Sequence, residues 1–171
     1  MTRPVSLPGS APRRRAPYEN WRPPIIGVSV LAPVGTTDLL LPCLPGNALV
    51  LPTGTVEDGQ SPEDAARAVL RGMPDGLPVR RRVAVDQVQM RRRKIITHLV
   101  ATEPLTPGNC RALAYRDPRA TIRVLPVGQA LESLHHKVRT RVVLGLQALA
   151  TGAVIYTEDG QMPQLKAMPP T

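Results

Sequence analysis

The sequence lacks phenylalanine and has few other aromatic residues: one tryptophan and three tyrosines among 171 residues. A hydrophobic core must therefore be built from Val, Leu, Ala and Ile, and a chain of this length can bury such a core as one domain. Proteins that bind single-stranded nucleic acid commonly stack the bases on exposed aromatic rings. The composition supplies few such rings and disfavours that mechanism.

Cysteine and long apolar runs are also scarce. The only cysteines, Cys43 and Cys110, form no CxxC pair, so we expect no structural zinc site, although a disulfide between them remains open. No run is long enough to span a bilayer, and the first residues contain no apolar segment typical of a secretory signal. The sequence has no GxxxxGK[ST], GxSxG or HExxH motif. We therefore expect a cytoplasmic protein with no membrane segment.

Positive charge is abundant: the formal net charge is +9 and the pI is about 10.7. Such a chain favours anionic partners, which include nucleotides, nucleic acid, an acidic protein or a lipid surface. Arginine greatly outnumbers lysine, and alanine and proline are common. This bias is typical of coding in a high-GC bacterium and accounts for part of the basicity.

The distribution of Pro, Arg and periodic segments divides the chain into three predicted parts: an arm, a domain and a tail. Residues 1–22 are rich in Pro and Arg without periodicity, which predicts a disordered or loosely attached arm. Residues 23–160 form the predicted domain, and residues 161–171 a flexible tail. Arginine triplets at 13–15, 80–82 and 91–93 offer phosphate contacts, with solvated charge as the alternative interpretation.

Strand and helix patterns alternate along the predicted domain. Strands are predicted at residues 25–34, 38–41, 48–51, 80–89, 94–102, 111–115 and 120–125, with a further short strand in the segment that begins at Tyr156. Loops are predicted at 43–47 and 104–110, and residues 90–93 form the tip of a hairpin. A helix starts near Val127, and apolar residues at three- and four-residue steps continue through 129–150. They indicate one amphipathic helix or a broken pair, closed by Gly152.

Residues 51–76, LPTGTVEDGQSPEDAARAVLRGMPDG, contain the best-marked helix start. Ser61 is a good N-cap, Pro62 suits the first helical position, and Glu63 and Asp64 place negative charge in the first turn. Asp64 follows Ser61 by three residues, close to a capping-box arrangement. Apolar residues then recur at helical spacing, and the pattern predicts a helix that ends at Gly72 and Pro74.

This segment resembles the signature of the Nudix hydrolases, Gx5Ex7REUxEExGU, which is usually preceded by Leu-Pro-Gly and contains a Val-Glu-x-Gly step. The framework residues match at Leu51, Pro52, Gly54, Val56, Glu57 and Gly59. In an ungapped alignment from Gly54, the signature acids and the Arg-Glu pair instead fall on Gln60, Ala68, Val69, Gly72 and Met73. Every signature acid is missing.

The resemblance implies an α+β fold with a mixed β-sheet sandwiched between helices. Nudix enzymes use the signature carboxylates to hold magnesium or manganese against a diphosphate, because these hard cations require oxygen ligands. Val69, Gly72 and Met73 offer no side-chain oxygen. We therefore predict a Nudix-fold protein without metal-dependent diphosphate hydrolysis, with no catalytic residue, bound metal or cofactor.

In place of that reaction we expect the protein to bind a small anionic ligand or an acidic protein partner, and a homodimer is a further option. In Nudix-like folds the paired strands after the helix border the ligand pocket. The candidate ligand-binding residues are therefore polar or basic residues of this strand pair: Asp86, Gln87, Gln89, His98, Arg91 and Arg93.

Two alternatives stay open. In the first, the protein is a divergent hydrolase of a nucleoside-diphosphate-like substrate, in which acids at other positions rebuild a magnesium or manganese site and His98 carries a proton. The candidate acids are Glu57, Glu63, Asp64 and Asp86. A variant of this hypothesis uses Asp86, His98 or a tyrosine in metal-free chemistry. In the second alternative, the arginine runs bind nucleic acid with a steep dependence on salt.

Overall fold

A computed structural model describes residues 21–162. Within these residues the chain forms nine strands and four helices, in the order β1 (Ile25–Leu31), β2 (Pro33–Val34), β3 (Asp38–Leu44), β4 (Ala48–Leu49), β5 (Thr53–Thr55), α1 (Pro62–Arg67), β6 (Val79–Gln89), β7 (Lys94–Thr102), α2 (Pro107–Ala112), β8 (Thr121–Pro126), α3 (Val127–Ser133), α4 (His136–Thr151) and β9 (Ile155–Glu158). None of these helices combines the length and apolar character needed to cross a bilayer.

The main sheet is mixed and has the strand order β5-β1-β7-β6-β9. β1 runs parallel to β7, and β9 runs parallel to β6, whereas β6 and β7 form an antiparallel hairpin. The pairing reaches Gln89 and Lys94, so residues 90–93 form the hairpin tip, as predicted. A register shift between Arg82 and Ala84 places Val83 as an extra residue in the β6 ladder.

A second sheet is built around β3, which pairs with β2 and β4 on one side and with β8 on the other. The prediction of one strand over residues 25–34 was wrong. The chain leaves the main sheet at Ala32, where the carbonyl accepts a hydrogen bond from Leu40. The predicted loop at 43–47 was also partly wrong, because Cys43 and Leu44 continue β3 and pair with β4.

Helices cover both faces of the main sheet. On one face, α1 buries Ala65 and Ala66 against Val28 and Val100, and on the other face α4 buries Val142 and Ala148. Gly145 allows α4 to approach closely, because a Cβ there would lie 2.6 Å from a methyl group of Leu99. The predicted α+β architecture, a mixed sheet between helices, is confirmed.

The segment before β8 differs from the prediction. Residues 107–112 form α2, where the sequence pattern indicated a loop and then a short strand at 111–115. Thr106 caps α2 by accepting a hydrogen bond from the Asn109 N–H at 3.2 Å, and Pro107 occupies the first turn. This repeats the Ser-Pro start of α1 with threonine in the cap position. In place of the strand predicted at 111–115, the structure has a single antiparallel bridge between Ala114 and Arg71.

The predicted helical region at 129–150 is a broken pair. α3 ends at Ser133, Leu134 has an extended backbone, and α4 begins at His136. Gly152, with φ +77°, ends α4 in the left-handed conformation, as predicted. Most of the predicted arm at 1–22 and tail at 161–171 lies outside the described residues, although the Arg22 N–H donates to the Arg92 carbonyl at 3.0 Å.

Candidate functional site

Helix α1 has the predicted start but a much earlier end. The Ser61 hydroxyl accepts a hydrogen bond from the Asp64 N–H at 3.1 Å and donates to the Asp64 carboxylate at 2.7 Å. The prediction that the helix continues to Gly72 was wrong, since α1 ends at Arg67. The chain then turns back, and the backbones of Arg71 and Ala114 exchange two hydrogen bonds, each 2.9 Å long.

Gly72 fixes this change of direction. Its φ is +115°, and a Cβ at this position would collide with the Ala112 carbonyl oxygen. Only glycine tolerates both conditions without a shift of the neighbouring backbone. The ungapped alignment puts a signature glutamate at this residue. The structure therefore leaves no room for a side chain where the signature requires a metal ligand.

The turn brings Arg71 to a cavity of about 270 Å³ between the loop after β5 and helix α1. We call it the polar cavity; it is lined by Thr53, Gly54, Thr55, Glu57, Gln60, Ala65, Ala68, Val69, Arg71 and Arg116. Arg116 reaches the same cavity because it follows the segment that is bonded to Arg71. Backbone pairing thus brings two arginines to the lining of one cavity.

A second cavity, of about 250 Å³, shares Thr53 and Arg116 with the first. We call it the apolar cavity, because much of its wall is aliphatic; its other lining residues are Ser29, Leu44, Val50, Leu51, Tyr115, Val138 and Arg141. The hydroxyls of Thr53 and Tyr115 lie 3.0 Å apart at the boundary between the two cavities. Together the two cavities form one cleft with a charged half and an apolar half.

The charged half has more positive than negative groups. Neither Arg71 nor Arg116 makes an ion pair with any residue in the range 21–162. A guanidinium nitrogen of Arg116 lies 3.5 Å from the Thr53 hydroxyl, and its central carbon lies 5.5 Å from the centre of the Tyr115 ring. Glu57 is the one carboxylate in the lining. Two positive groups against one negative group leave the cavity with an excess positive charge.

The residues present do not fit a magnesium or manganese ion held by carboxylates. Within the described part of the chain, no group of three or more His, Cys, Asp or Glu residues could hold a metal ion. Both oxygens of Glu63 accept hydrogen bonds from Arg82, at 3.1 and 3.0 Å, and Asp64 accepts from Ser61. Glu57 therefore stands alone in the polar cavity, and the candidate acids do not converge.

Asp86 is 3% exposed and lies on the face of the main sheet that α4 covers, opposite to the face that α1 covers. One carboxylate oxygen accepts hydrogen bonds from the Thr157 hydroxyl at 2.7 Å and the Gly160 N–H at 2.9 Å. The other accepts from the guanidinium of Arg141, at 2.9 and 2.7 Å. Asp86 thus links β6 to α4 and to the turn after β9. Both of its oxygens are already occupied, which leaves it poorly placed to act on a ligand.

His98 lies beside the Arg82–Glu63 pair rather than in the cleft. Burial and the positive charge of Arg82 lower the pKa of His98, and its Nδ1 is buried with no partner among the described residues. Burial alone raises the pKa of Glu63, but the hydrogen bonds and charge of Arg82 outweigh it, so the net shift is downward. The three side chains lie close together at the first turn of α1, which carries Glu63.

The remaining predicted ligand residues lie elsewhere. Gln87 and Gln89 line a separate cavity of about 490 Å³ together with Val88, Lys94, Glu158 and Asp159. Arg91 and Arg93 belong to the hairpin tip and line none of these three cavities. The predicted set is therefore divided among several places, and its ligand-binding role stays a prediction.

Sequence reasoning missed Arg71 and Arg116, the two residues that distinguish the cleft. Arg71 falls inside the predicted helix, where an arginine is typical of the solvent-exposed side of a helix. Arg116 follows a segment predicted as a strand without a motif. The one available signal was Gly72 next to Arg71, because a glycine inside a helical pattern disfavours continuation of the helix.

No family model matches the sequence, and no curated protein matches it. Solved structures do match. A Nudix hydrolase from Nitrosomonas europaea aligns with TM-score 0.56 and 12% identity, over 81% of this chain and 80% of that one. The E. coli ORF135 protein aligns with TM-score 0.55 and 16% identity, over 79% and 94%. A MutT protein from Methanosarcina mazei Go1 aligns with TM-score 0.56 and 15% identity, over 77% and 96%. The chain therefore has a Nudix-like fold.

Proposed function

We propose that this Nudix-fold protein binds the anionic group of a small molecule directly with Arg71 and Arg116, and that it does not catalyse metal-dependent diphosphate hydrolysis. The observation that carries the proposal is the pair of guanidinium groups in the polar cavity, neither of which has an ion-pair partner among residues 21–162. They line the part of the cleft that also contains Gln60 and Val69, which occupy signature-acid positions.

Guanidinium chemistry suits this role. The planar fork of arginine donates paired hydrogen bonds to phosphate or carboxylate oxygens, and it stays charged at all physiological pH values. Two forks can hold a phosphate or diphosphate without a bridging cation. Glu57 limits the number of negative charges that the cavity accepts, because a carboxylate repels a second anion nearby.

The apolar cavity favours a ligand with an uncharged part. Leu44, Val50, Leu51 and Val138 supply an aliphatic wall, and Ser29 and Tyr115 supply hydroxyls for orientation. A ligand of this shape would place its anion between Arg71 and Arg116 and its neutral group across Thr53. We expect this ligand to be met in the cytoplasm.

Nucleic-acid binding through the arginine runs receives less support from the geometry. Arg82 is paired with Glu63, and Arg80 lies 3.8 Å from Glu103. Arg81 donates to the backbone carbonyls of Ala148 and Ala153. The second arginine run is thus engaged with the protein itself, which leaves fewer free cations for a phosphate backbone.

Calorimetric titration with inorganic pyrophosphate in the presence of EDTA tests the proposal. We expect saturable binding that Arg71→Gln and Arg116→Gln each weaken about tenfold, the effect of losing one charged hydrogen-bonding group. Arg92→Gln is the matched control, since Arg92 belongs to the hairpin tip and lines neither half of the cleft. The affinity of this variant for pyrophosphate should equal that of the wild type. Equal weakening by all three substitutions would reveal nonspecific charge attraction and overturn the proposal.

A further inference from the structure

The outer edge of β8 has unpaired backbone groups. The Leu40 N–H donates to the Ala32 carbonyl, and the Pro42 carbonyl accepts from the Val50 N–H. The backbone hydrogen-bonding groups of Leu40 and Pro42 in β3 therefore point away from β8. The alternation of an antiparallel ladder then directs Leu39, Leu41 and Cys43 toward β8. Their partners in β8 are Leu125, Arg123 and Thr121. The backbone N–H and C=O groups of Ile122 and Val124 therefore point away from β3.

Ile122 and Val124 therefore present two N–H and two C=O groups at this edge, and β3 is the one strand paired with β8 in the described part of the chain. No hydrogen bond to another described loop or side chain engages these four groups. An extended segment with the same spacing can pair with all of them, because strand addition satisfies exposed ladder groups.

A cavity of about 250 Å³ opens beside the same edge, between α2 and β8. Pro107, Cys110, Ile122 and Val124 give it an apolar wall, and Val124 is 37% exposed. Alternate side chains of an added strand point to one face of the sheet. One apolar side chain of an incoming segment would thus enter this cavity while its backbone pairs with β8.

The charge around the edge selects the partner. Arg111 lines the cavity, and no acidic residue is among the lining residues. Arg123 is an exposed residue of β8 whose side chain lies on the opposite face of the sheet from Ile122 and Val124. Neither arginine makes an ion pair within the described residues. A second copy of this chain would bring the same two arginines and a net charge of +9, so like-charge repulsion disfavours self-association at this edge.

We propose that the β8 edge binds an extended acidic segment of a partner protein, which adds a strand next to Ile122 and Val124 and places one apolar side chain in the α2–β8 cavity. This site is independent of the cleft, because the residues of the two sites do not overlap.

A synthetic acetylated peptide that alternates glutamate and valine provides the probe. We expect amide resonances of Ile122 and Val124 to shift on titration in two-dimensional NMR spectra. Arg111→Glu and Arg123→Glu should each weaken binding about tenfold, whereas Arg92→Glu at the hairpin tip should leave affinity unchanged. Absence of shifts at Ile122 and Val124, or equal losses in all three variants, would overturn the proposal.

Three further variations separate backbone pairing from charge alone. A peptide that is N-methylated at alternate residues cannot complete the ladder and should lose most of its affinity. Val124→Pro removes a backbone N–H that β3 does not use. It should also remove most of the affinity for the peptide, while the amide resonances of residues away from β8 keep their positions. A peptide that alternates lysine and valine should not bind. Equal binding of the N-methylated or lysine peptide, or dimerisation of the protein through this edge, would contradict the proposal.

Discussion

Arg71 and Ala114 hold each other by two backbone hydrogen bonds, each 2.9 Å long, with each residue donating its N–H to the carbonyl of the other. This pairing ends the helical course of the chain after α1 and connects it to the segment that carries Arg116. Helix α1 therefore comprises only residues 62–67. The same pairing brings both Arg71 and Arg116 to the lining of the cleft.

Gly72→Ala should destabilise the protein strongly. A Cβ at Gly72 meets the Ala112 carbonyl, and φ of +115° is unfavourable for an L-residue. We expect a loss of about 3 kcal/mol or more in the free energy of unfolding, measured by urea denaturation. Gly59→Ala is the control, because its φ is +78° but nothing lies within 4 Å, and it should cost only about 1 kcal/mol.

The lack of space at Gly72 also predicts the effect of introducing the signature glutamate there. Gly72→Glu restores a signature letter but should unfold the protein rather than recover metal-dependent hydrolysis, because its side chain would have to displace the Ala112–Leu113 backbone. Circular dichroism and a phosphate-release assay on the same sample check this. A folded Gly72→Glu variant with magnesium-dependent turnover would contradict our interpretation of this segment.

Arg141→Met should cost about 3 to 5 kcal/mol of unfolding free energy, because it leaves the Asp86 carboxylate buried without its charged partner. Chemical denaturation measures the loss. The double variant Asp86→Asn with Arg141→Met should be less destabilised than the sum of the two single variants, since it removes the uncompensated charge. Strictly additive effects would show that the pair is not coupled.

Stability should fall as the pH is lowered below about 6.5, in part through His98. Its pKa is lower in the folded state than the ordinary value of 6.5, because of burial and the charge of Arg82. Between the two pKa values the unfolded chain binds more protons, so acid favours unfolding. His98→Gln should flatten this part of the pH profile of the unfolding free energy.

Glu63 acts in a lower pH window. Its folded-state pKa lies below the ordinary value of 4.5, so the stability that it contributes is complete above that value and is lost as the pH falls through the folded-state pKa. Glu63→Gln should remove the part of the profile below about pH 4.5, and it should also lower the folded-state pKa of His98 further, because the charge of Glu63 raises that pKa. In the same measurements, a profile just below pH 6.5 that is unchanged in the His98→Gln variant would contradict the assignment to His98.

The sequence predicted the features that depend on local chemistry. Ser61 and Pro62 mark the start of α1, residues 90–93 form the hairpin tip, and Gly152 ends α4, because caps, turns and left-handed residues have strong local preferences. α2 could have been predicted in the same way, since Thr106 and Pro107 repeat the start of α1.

The features that were missed depend on contacts between distant parts of the chain. Helical spacing continues through Val69, Leu70 and Met73, yet pairing of Arg71 with Ala114 overrides it. Asp86 looked like a pocket residue, but Arg141, Thr157 and Gly160 surround it, and no local pattern specifies these partners. The candidate site arises from such pairings, so its composition was visible only in three dimensions.

Phosphorus NMR of nucleoside diphosphates and inorganic pyrophosphate, with magnesium or manganese and then with EDTA, tests most directly whether the protein binds diphosphates without hydrolysing them. We predict that the wild type leaves every compound intact with either metal. In EDTA, where no free metal is present, we predict that added protein broadens or shifts the pyrophosphate resonance in a manner that requires Arg71 and Arg116. Metal-dependent appearance of phosphate or nucleoside monophosphate, abolished by Glu57→Gln, would contradict the account.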